Sequence, residues 1–161
     1  MSSDDLTRAV AKLTEVFGSA SQNTLGSAVF QSDSKVDLET LDNYAKSVYQ
    51  HFVGKAWEDF GPENWNKTWQ MLYRRPEGST GSILEELKSL GDAATELAAS
   101  QVTENHDDPT AAAQGLKGVF DSPSLTSVSV YRIGDSEAIT GVLVAGLMPT
   151  QNAIALVFLM D

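Results

Sequence analysis

The spacing of apolar residues changes once along the chain. Up to about residue 125 they recur every three or four positions, which is the period of an amphipathic helix. After that point they alternate or run continuously over segments of about eight residues, which is typical of β-strands. The change predicts one domain over residues 1–161, with 1–125 mainly helical and 126–161 an antiparallel β-meander.

Five helices are predicted in the first region. The first ends at Gly18, and its apolar residues are spaced by four, three and four: Leu6, Val10, Leu13 and Phe17. The second begins with Asp37 as its cap and ends at Gly54. Between them, residues 19–34 are expected to form a long loop with SAVFQ as a possible short strand.

Three further helices are predicted from their end signals. One spans 61–76, with Pro62 in its first turn, two arginines in its last turn and Pro76 after them. Another begins at Ser82 and carries an apolar stripe through Leu97. The last begins at Asp108–Pro109, where aspartate can cap the helix and proline suits its first turn.

The last part of the chain, GVLVAGLMPTQNAIALVFLMD, is apolar without being a membrane span. Residues 149–152 interrupt it with turn-forming chemistry, and no Lys or Arg follows Arg132. We expect three antiparallel strands, with residues 139–147 as the middle strand. Strands that are apolar on both faces need cover on both sides, so the predicted fold is α+β, an α/β/α sandwich of about five helices and this three-stranded meander.

The charge of the chain bears on its partners. The formal net charge is −11, and residues 1–108 hold 18 acidic and 9 basic residues. Such a surface repels nucleic acid and anionic membranes and attracts a protein with a basic face. The chain has no cysteine and no secretory signal at its start, which is compatible with the cytoplasm and excludes disulfides and thiolate chemistry.

Catalytic motifs are scarce in this sequence. It contains no phosphate-binding loop, nucleophile elbow, zinc-protease motif or dinucleotide fingerprint. Near His106, the acids Glu104, Asp107 and Asp108 contain the atoms that a divalent cation needs, but the start of a helix already explains the two aspartates. We therefore expect no metal and no cofactor.

The densest aromatic stretch runs from Trp57 to Tyr73 and supports two interpretations. Trp65 and Trp69 are four residues apart, the spacing of one helix face, which favours a packed core. An exposed tryptophan there, such as Trp57 or Trp65, would instead anchor a partner or line a ligand pocket. The neighbouring Arg74 and Arg75 suit the end of a helix or, alternatively, an anion.

The final segment resembles the end of the nuclease A inhibitor-like proteins. The shared pattern is VYRIGD, Val130 to Asp135, followed by Val142-x-Val144-x-Gly146-x-x-Pro149-x-x-Asn152. The resemblance covers residues 130–161 and implies an α/β/α sandwich and inhibition of a non-specific, metal-dependent nuclease. In that family polar residues at the chain end reach into the nuclease active site, a part that Asp161 would take here.

Three hypotheses about function follow from these observations. The first is a small acidic protein-binding module of the inhibitor or immunity type, with Asp161, Trp57, Trp65, Arg74 and Arg75 as candidate partner-binding residues. The second is a small-ligand binding domain that uses the aromatic region of residues 57–73. The third is an enzyme with an unrecognised site, for which the first residues to test are Asp59, Glu63, His51 and Arg75.

Overall fold

The computed structural model describes residues 3–18, 26–76, 81–104, 107–123, 125–134, 139–148 and 151–160. Within these ranges it contains seven helices: α1 (Ser3–Phe17), α2 (Leu41–Val53), α3 (Ala56–Asp59), α4 (Pro62–Asn66), α5 (Ile83–Lys88), α6 (Ala93–Thr103) and α7 (Pro109–Phe120). Five strands complete the fold: β1 (Gly26–Gln31), β2 (Gln70–Arg74), β3 (Ser127–Gly134), β4 (Thr140–Leu147) and β5 (Ala153–Met160). The predicted α+β class is confirmed.

The strands form one antiparallel sheet in the order β1-β5-β4-β3-β2. β3, β4 and β5 are neighbours in sequence and in space, and β4 is the middle strand of the five. The prediction of three strands was incomplete, because β1 and β2 extend the sheet at its two edges. None of the described helices is long and apolar enough to cross a membrane.

The two faces of the sheet are covered by different helices. Alternate residues of β4 point to opposite sides, so that Val142 and Val144 pack in one cluster and Leu143 and Ala145 in the other. The first cluster includes α1, α5, α6 and α7, which we call the α1 layer. The second includes α2, α3 and α4, which we call the α2 layer.

The helix predicted for residues 61–76 is wrong in its second half. α4 ends at Asn66, and residues 70–74 form strand β2, which pairs with β3. β3 is buried along almost its whole length, so its backbone needs a pairing partner on this side, and Gln70 to Arg74 provide it. Pairing with a distant strand has therefore overridden the helical spacing of the tryptophans.

The helix predicted from Ser82 onward consists of two helices. Gly91 adopts a φ of 76°, which interrupts the helix between α5 and α6. Asp92 is then the cap residue of α6. The predicted apolar stripe does not continue across this break, and Leu97 is 54% exposed. In contrast, the predicted cap of α7 is confirmed, because the Asp108 carboxylate accepts a hydrogen bond from the Ala111 N–H at 3.1 Å.

The predicted cap of the second helix lies one turn too early. α2 begins at Leu41, with Thr40 as its cap residue. The Asp37 carboxylate accepts a hydrogen bond from the Thr40 N–H at 2.9 Å and so closes a turn that precedes the helix. The possible strand in SAVFQ is confirmed as part of β1, which α1 supports through a bond from the Val29 N–H to the Gly18 carbonyl at 2.9 Å.

Candidate protein-binding surface

Trp57 and Trp65 lie inside the α2 layer. Trp65 has no exposed surface and Trp57 retains 6%, and their rings are stacked with centroids 6.3 Å apart. The indole N–H of Trp65 donates to the Ala56 carbonyl at 3.0 Å, so its polar atom is also satisfied internally. Trp65 offers no surface to a partner in this structure, and the aromatic-core interpretation describes its position.

Tyr49 joins these aromatic residues to the sheet. Its hydroxyl lies 2.9 Å from the Trp65 carbonyl and 2.8 Å from the Gly134 carbonyl, and it accepts from the Gly134 N–H at 3.1 Å. The Tyr49 ring also packs edge-on against Trp57 and stacks on Trp69. A buried and fully bonded hydroxyl of this kind holds α2 and α4 at the end of β3.

Phe60 is the aromatic residue of this region that faces solvent. It follows α3, is 53% exposed, and its ring lies 5.9 Å from the buried Trp65 ring. Its N–H donates to the Ala56 carbonyl at 3.0 Å, and Gly61 then takes a φ of 93°, a conformation that glycine adopts readily. Phe60 therefore projects from a well-defined turn with an aromatic support beneath it.

Three exposed carboxylates flank this phenylalanine: Glu58, Asp59 and Glu63. Together with Phe60 they form what we call the acidic corner. No ion pair among the described residues involves these three carboxylates. The acidic corner thus combines an exposed aromatic side chain with three carboxylates that form no such ion pair, although Lys55 and Lys67 border them in the sequence.

An open groove adjoins the acidic corner. Its volume is about 360 Å³, and α2 and the first turn of α3 supply its walls. The lining residues are Ser47, Gln50, His51, Gly54, Trp57 and Glu58. We call this cavity the Glu58 groove. Because Glu58 also belongs to the acidic corner, the Glu58 groove and the acidic corner form one continuous surface.

Arg74 and Arg75 are adjacent in sequence, but their side chains have different hydrogen-bond partners. Arg74 donates to Asp42 at 2.7 Å and to the Ser129 hydroxyl at 2.8 Å. Arg75 is 6% exposed; it donates to Glu86 at 2.9 Å and to the Phe120 carbonyl at 2.7 Å. The helix-end interpretation of this pair was wrong, because Arg74 ends a strand and Arg75 follows it.

The pKa directions in these networks indicate structural roles. Burial, followed by the hydrogen bond to Asp42, raises the pKa of the Tyr131 hydroxyl, which donates to that carboxylate. Burial and the hydrogen bond to Glu86 raise the pKa of Tyr73 in the same direction. Both phenols are held protonated as hydrogen-bond donors, the reverse of what a general base or nucleophile requires.

The four residues named for an unrecognised enzyme do not form one site. Arg75 is bound to Glu86 and Phe120 in the α1 layer, whereas His51 lies on α2, with its ring packed edge-on against Phe30 at 5.6 Å. Asp59 and Glu63 belong to the acidic corner. His51, Asp59 and Glu63 thus lie on the continuous surface formed by the groove and the acidic corner, and Arg75 lies apart from them.

The remaining candidates are the metal ligands around His106 and the acidic residue Asp161. His106 and Asp161 lie outside the described residues. Within the described ranges, no group of three or more His, Asp or Glu side chains is arranged to hold a metal ion. Asp108 is instead the helix cap of α7.

A second groove bears on the small-ligand alternative. It has a volume of about 390 Å³ and lies beside the end of β2. Its lining residues are Leu38, Arg74, Arg75, Pro76, Thr126, Ser127 and Leu147. The aromatic residues of the region 57–73 do not line it, because Trp57 and Trp65 are packed in the α2 layer.

The sequence favoured a packed aromatic core, with Trp57 or Trp65 as an anchor only if exposed, and Phe60 was not singled out. A local signal for Phe60 is present in EDFGPE, where acids stand on both sides and a Gly-Pro turn follows the aromatic ring. Such a turn ends α3 and leaves the Phe60 side chain at the surface of the α2 layer.

Comparisons with protein-family models, with curated proteins and with solved structures find no match to this chain.

Proposed function

We propose that this protein is a small acidic protein-binding module of the inhibitor or immunity type. It docks its acidic corner against a basic face of its partner. The observation that carries the proposal is Phe60, which is 53% exposed, supported by Trp65 and surrounded by three carboxylates that have no ion pair among the described residues.

Both parts of the acidic corner have a role in binding. Aromatic side chains that fill a partner's pocket supply much of the affinity at protein interfaces. Exposed charges around them steer association and select partners of opposite charge, and this contribution weakens as salt screens it. A partner for this surface therefore has an apolar pocket with lysine or arginine at its rim.

The arginines of the chain support a protein partner over nucleic acid. Three of the four are hydrogen-bonded within the molecule: Arg74 to Asp42, Arg75 to Glu86 and Arg132 to the Thr68 carbonyl. Arg8 is exposed and lies 3.9 Å from Asp5. Arginine is the residue that most often holds phosphate in bidentate fashion. Because three guanidinium groups are held internally and the net charge is −11, binding of nucleic acid is disfavoured.

A metal-dependent nuclease is the first class of partner to test. The resemblance of residues 130–161 to the nuclease A inhibitor-like proteins motivates this choice, as does the expectation that the module acts in the cytoplasm. If inhibition follows the family pattern, Asp161→Asn weakens it by removing a charge near the metal. A panel of such nucleases, assayed with the wild type and Asp161→Asn, measures this; inhibition that is equal for both proteins removes Asp161 from the mechanism.

The proposal is tested by capture of partners from lysate at low and high salt. Phe60→Ser removes the anchor, and Leu97→Ser removes a side chain of equal exposure in the other layer. We expect a stoichiometric partner that is lost with Phe60→Ser, retained with Leu97→Ser, and weakened at high salt. Capture of no protein, together with a stoichiometric small molecule in the purified sample, would favour ligand binding instead.

A further inference from the structure

We infer that the Glu58 groove accepts an arginine side chain of the partner. The inference rests on the proposed function and names a specific contact within it. The groove of about 360 Å³ lies at the lower end of the range of about 300–1,000 Å³ typical of ligand pockets, so one extended side chain is a suitable occupant.

The chemistry of the lining favours a cation. Glu58 supplies an exposed carboxylate that no described lysine or arginine pairs with, although Lys55 precedes it by one turn. The Ser47 hydroxyl donates to the Tyr44 carbonyl at 2.7 Å, which leaves its oxygen lone pairs to accept from a ligand. Gln50 adds a side-chain carbonyl. The groove therefore offers several acceptors to a group that carries donors and positive charge.

The number of acceptors favours a planar cation over a compact one. A guanidinium group presents five N–H donors in a rigid fork and forms bidentate bonds to carboxylates, whereas an ammonium is a point charge with three donors. Trp57 is 6% exposed and its ring is stacked on Trp65, so it serves only as a wall of the groove. An arginine side chain can bind the Glu58 carboxylate and still donate to the other acceptors.

The test uses the 161-residue chain and three small probes. These are N-acetylarginine amide, N-acetyllysine amide and the uncharged N-acetylcitrulline amide, titrated while the indole N–H signal of Trp57 is followed by NMR. We expect saturable binding of the arginine probe in the millimolar range, weaker binding of lysine, and no saturation with citrulline. Equal binding of the citrulline probe would overturn the inference, because charge recognition is its basis.

Matched variants locate the contact. Glu58→Gln should weaken the arginine probe about threefold to fivefold, whereas Glu85→Gln, which removes an equal and exposed charge on α5 of the α1 layer, should leave it unchanged. Glu58 is exposed, so both variants are expected to retain the wild-type melting temperature. Equal effects of the two variants would show general charge attraction and would also overturn the inference.

The outcome separates this inference from the proposed function. If a partner is captured through Phe60 but the arginine probe does not bind, the groove inference fails and the proposed function stands. If the probe binds at Glu58 but Phe60→Ser captures every partner that the wild type captures, the proposed docking surface is wrong and the groove remains a cation site.

Discussion

Phe60 and Leu97 are large apolar side chains with almost the same exposure, 53% and 54%. They lie on opposite sides of the sheet, Phe60 beside the α2 layer and Leu97 on α6 of the α1 layer. Single exposed apolar residues are common on protein surfaces and need no function. The comparison therefore depends on what surrounds each of them.

The surroundings of the two residues differ in charge and in support. Phe60 has a buried tryptophan ring beneath it and three carboxylates without ion pairs around it. Beside Leu97 in the sequence, the Glu96 carboxylate accepts a hydrogen bond from the Gly91 N–H at 3.2 Å, so this acid is engaged within the molecule. The proposal that Phe60 belongs to an interface therefore rests on its aromatic support and on the three carboxylates around it, and not on exposure alone.

The support beneath Phe60 can be removed with Trp65→Ala. Because Trp65 is fully buried, we expect a loss of about 3–5 kcal/mol in the free energy of unfolding. Denaturant unfolding followed by circular dichroism measures this. Trp65→Phe is the control, since it keeps an aromatic ring in the layer and should cost clearly less. A loss below about 1 kcal/mol for Trp65→Ala would contradict the packing described for the α2 layer.

The charge balance of the α1 layer can be broken with Arg75→Met. The substitution leaves Glu86, a nearly buried carboxylate, without its guanidinium partner, and we expect a loss of about 3–5 kcal/mol. Arg74→Met should cost about 1 kcal/mol or less, because its pair with Asp42 is partly exposed. Replacing Arg75 and Glu86 together by apolar residues should restore part of the loss. Equal losses in the free energy of unfolding for Arg75→Met and Arg74→Met would refute the difference described between the buried and the partly exposed ion pair.

Phe60 and Leu97 themselves are expected to contribute little to stability. Phe60→Ser and Leu97→Ser should each lower the free energy of unfolding by about 1 kcal/mol or less, because half of each side chain is already in water. Matched unfolding curves for the two variants check this. A large loss for Phe60→Ser would mean that Phe60 is part of the core, and its assignment to a binding surface would then be untenable.

The smallest expected effect is the pH dependence contributed by Asp121. Burial raises the pKa of its carboxyl above the ordinary value of 3.8, so the folded state holds the proton more tightly than the unfolded state. The contribution of Asp121 to stability is therefore greatest at low pH and falls as the pH rises from about 4 through the raised pKa. Asp121→Asn keeps an oxygen that can accept from the Ile83 N–H, as the carboxylate does at 2.6 Å.

The corresponding measurement compares the free energies of unfolding of the two proteins between about pH 3.5 and about pH 6.5. Relative to Asp121→Asn, the wild type should lose stability with rising pH. A difference that is constant, or one of opposite sign, would show that the burial of this carboxylate does not dominate its environment.

Much of the fold was predictable because its signals are local. The α1 helix ends at a glycine, Asp108 caps α7, and the alternation of Val128 and Val130 with Tyr131 and Ile133 separates the two faces of β3. Each of these features depends on neighbours within a few residues. Spacing and capping chemistry are therefore sufficient to locate the elements.

The errors concern features that depend on distant residues. Strand β2 exists because Gln70 to Arg74 pair with residues 129–132, far along the chain, and no local pattern in residues 61–76 reveals that partner. The exposure of Phe60 has the same origin. Which ring of an aromatic segment faces water is decided by how Tyr49 and Trp65 pack against the end of β3, and not by the spacing of the rings.

The measurement that tests the central claim most directly is quantitative capture from lysate with the wild type, Phe60→Ser and Leu97→Ser in parallel. At about 0.05 M salt, we expect the wild type and Leu97→Ser to retain the same basic partner in equal amounts, and Phe60→Ser to lose it. At about 0.5 M salt, retention by the first two proteins should fall, because the carboxylates of the acidic corner are then screened. Equal retention by all three proteins, or equal loss with both variants, would contradict the claim that the acidic corner is the binding surface.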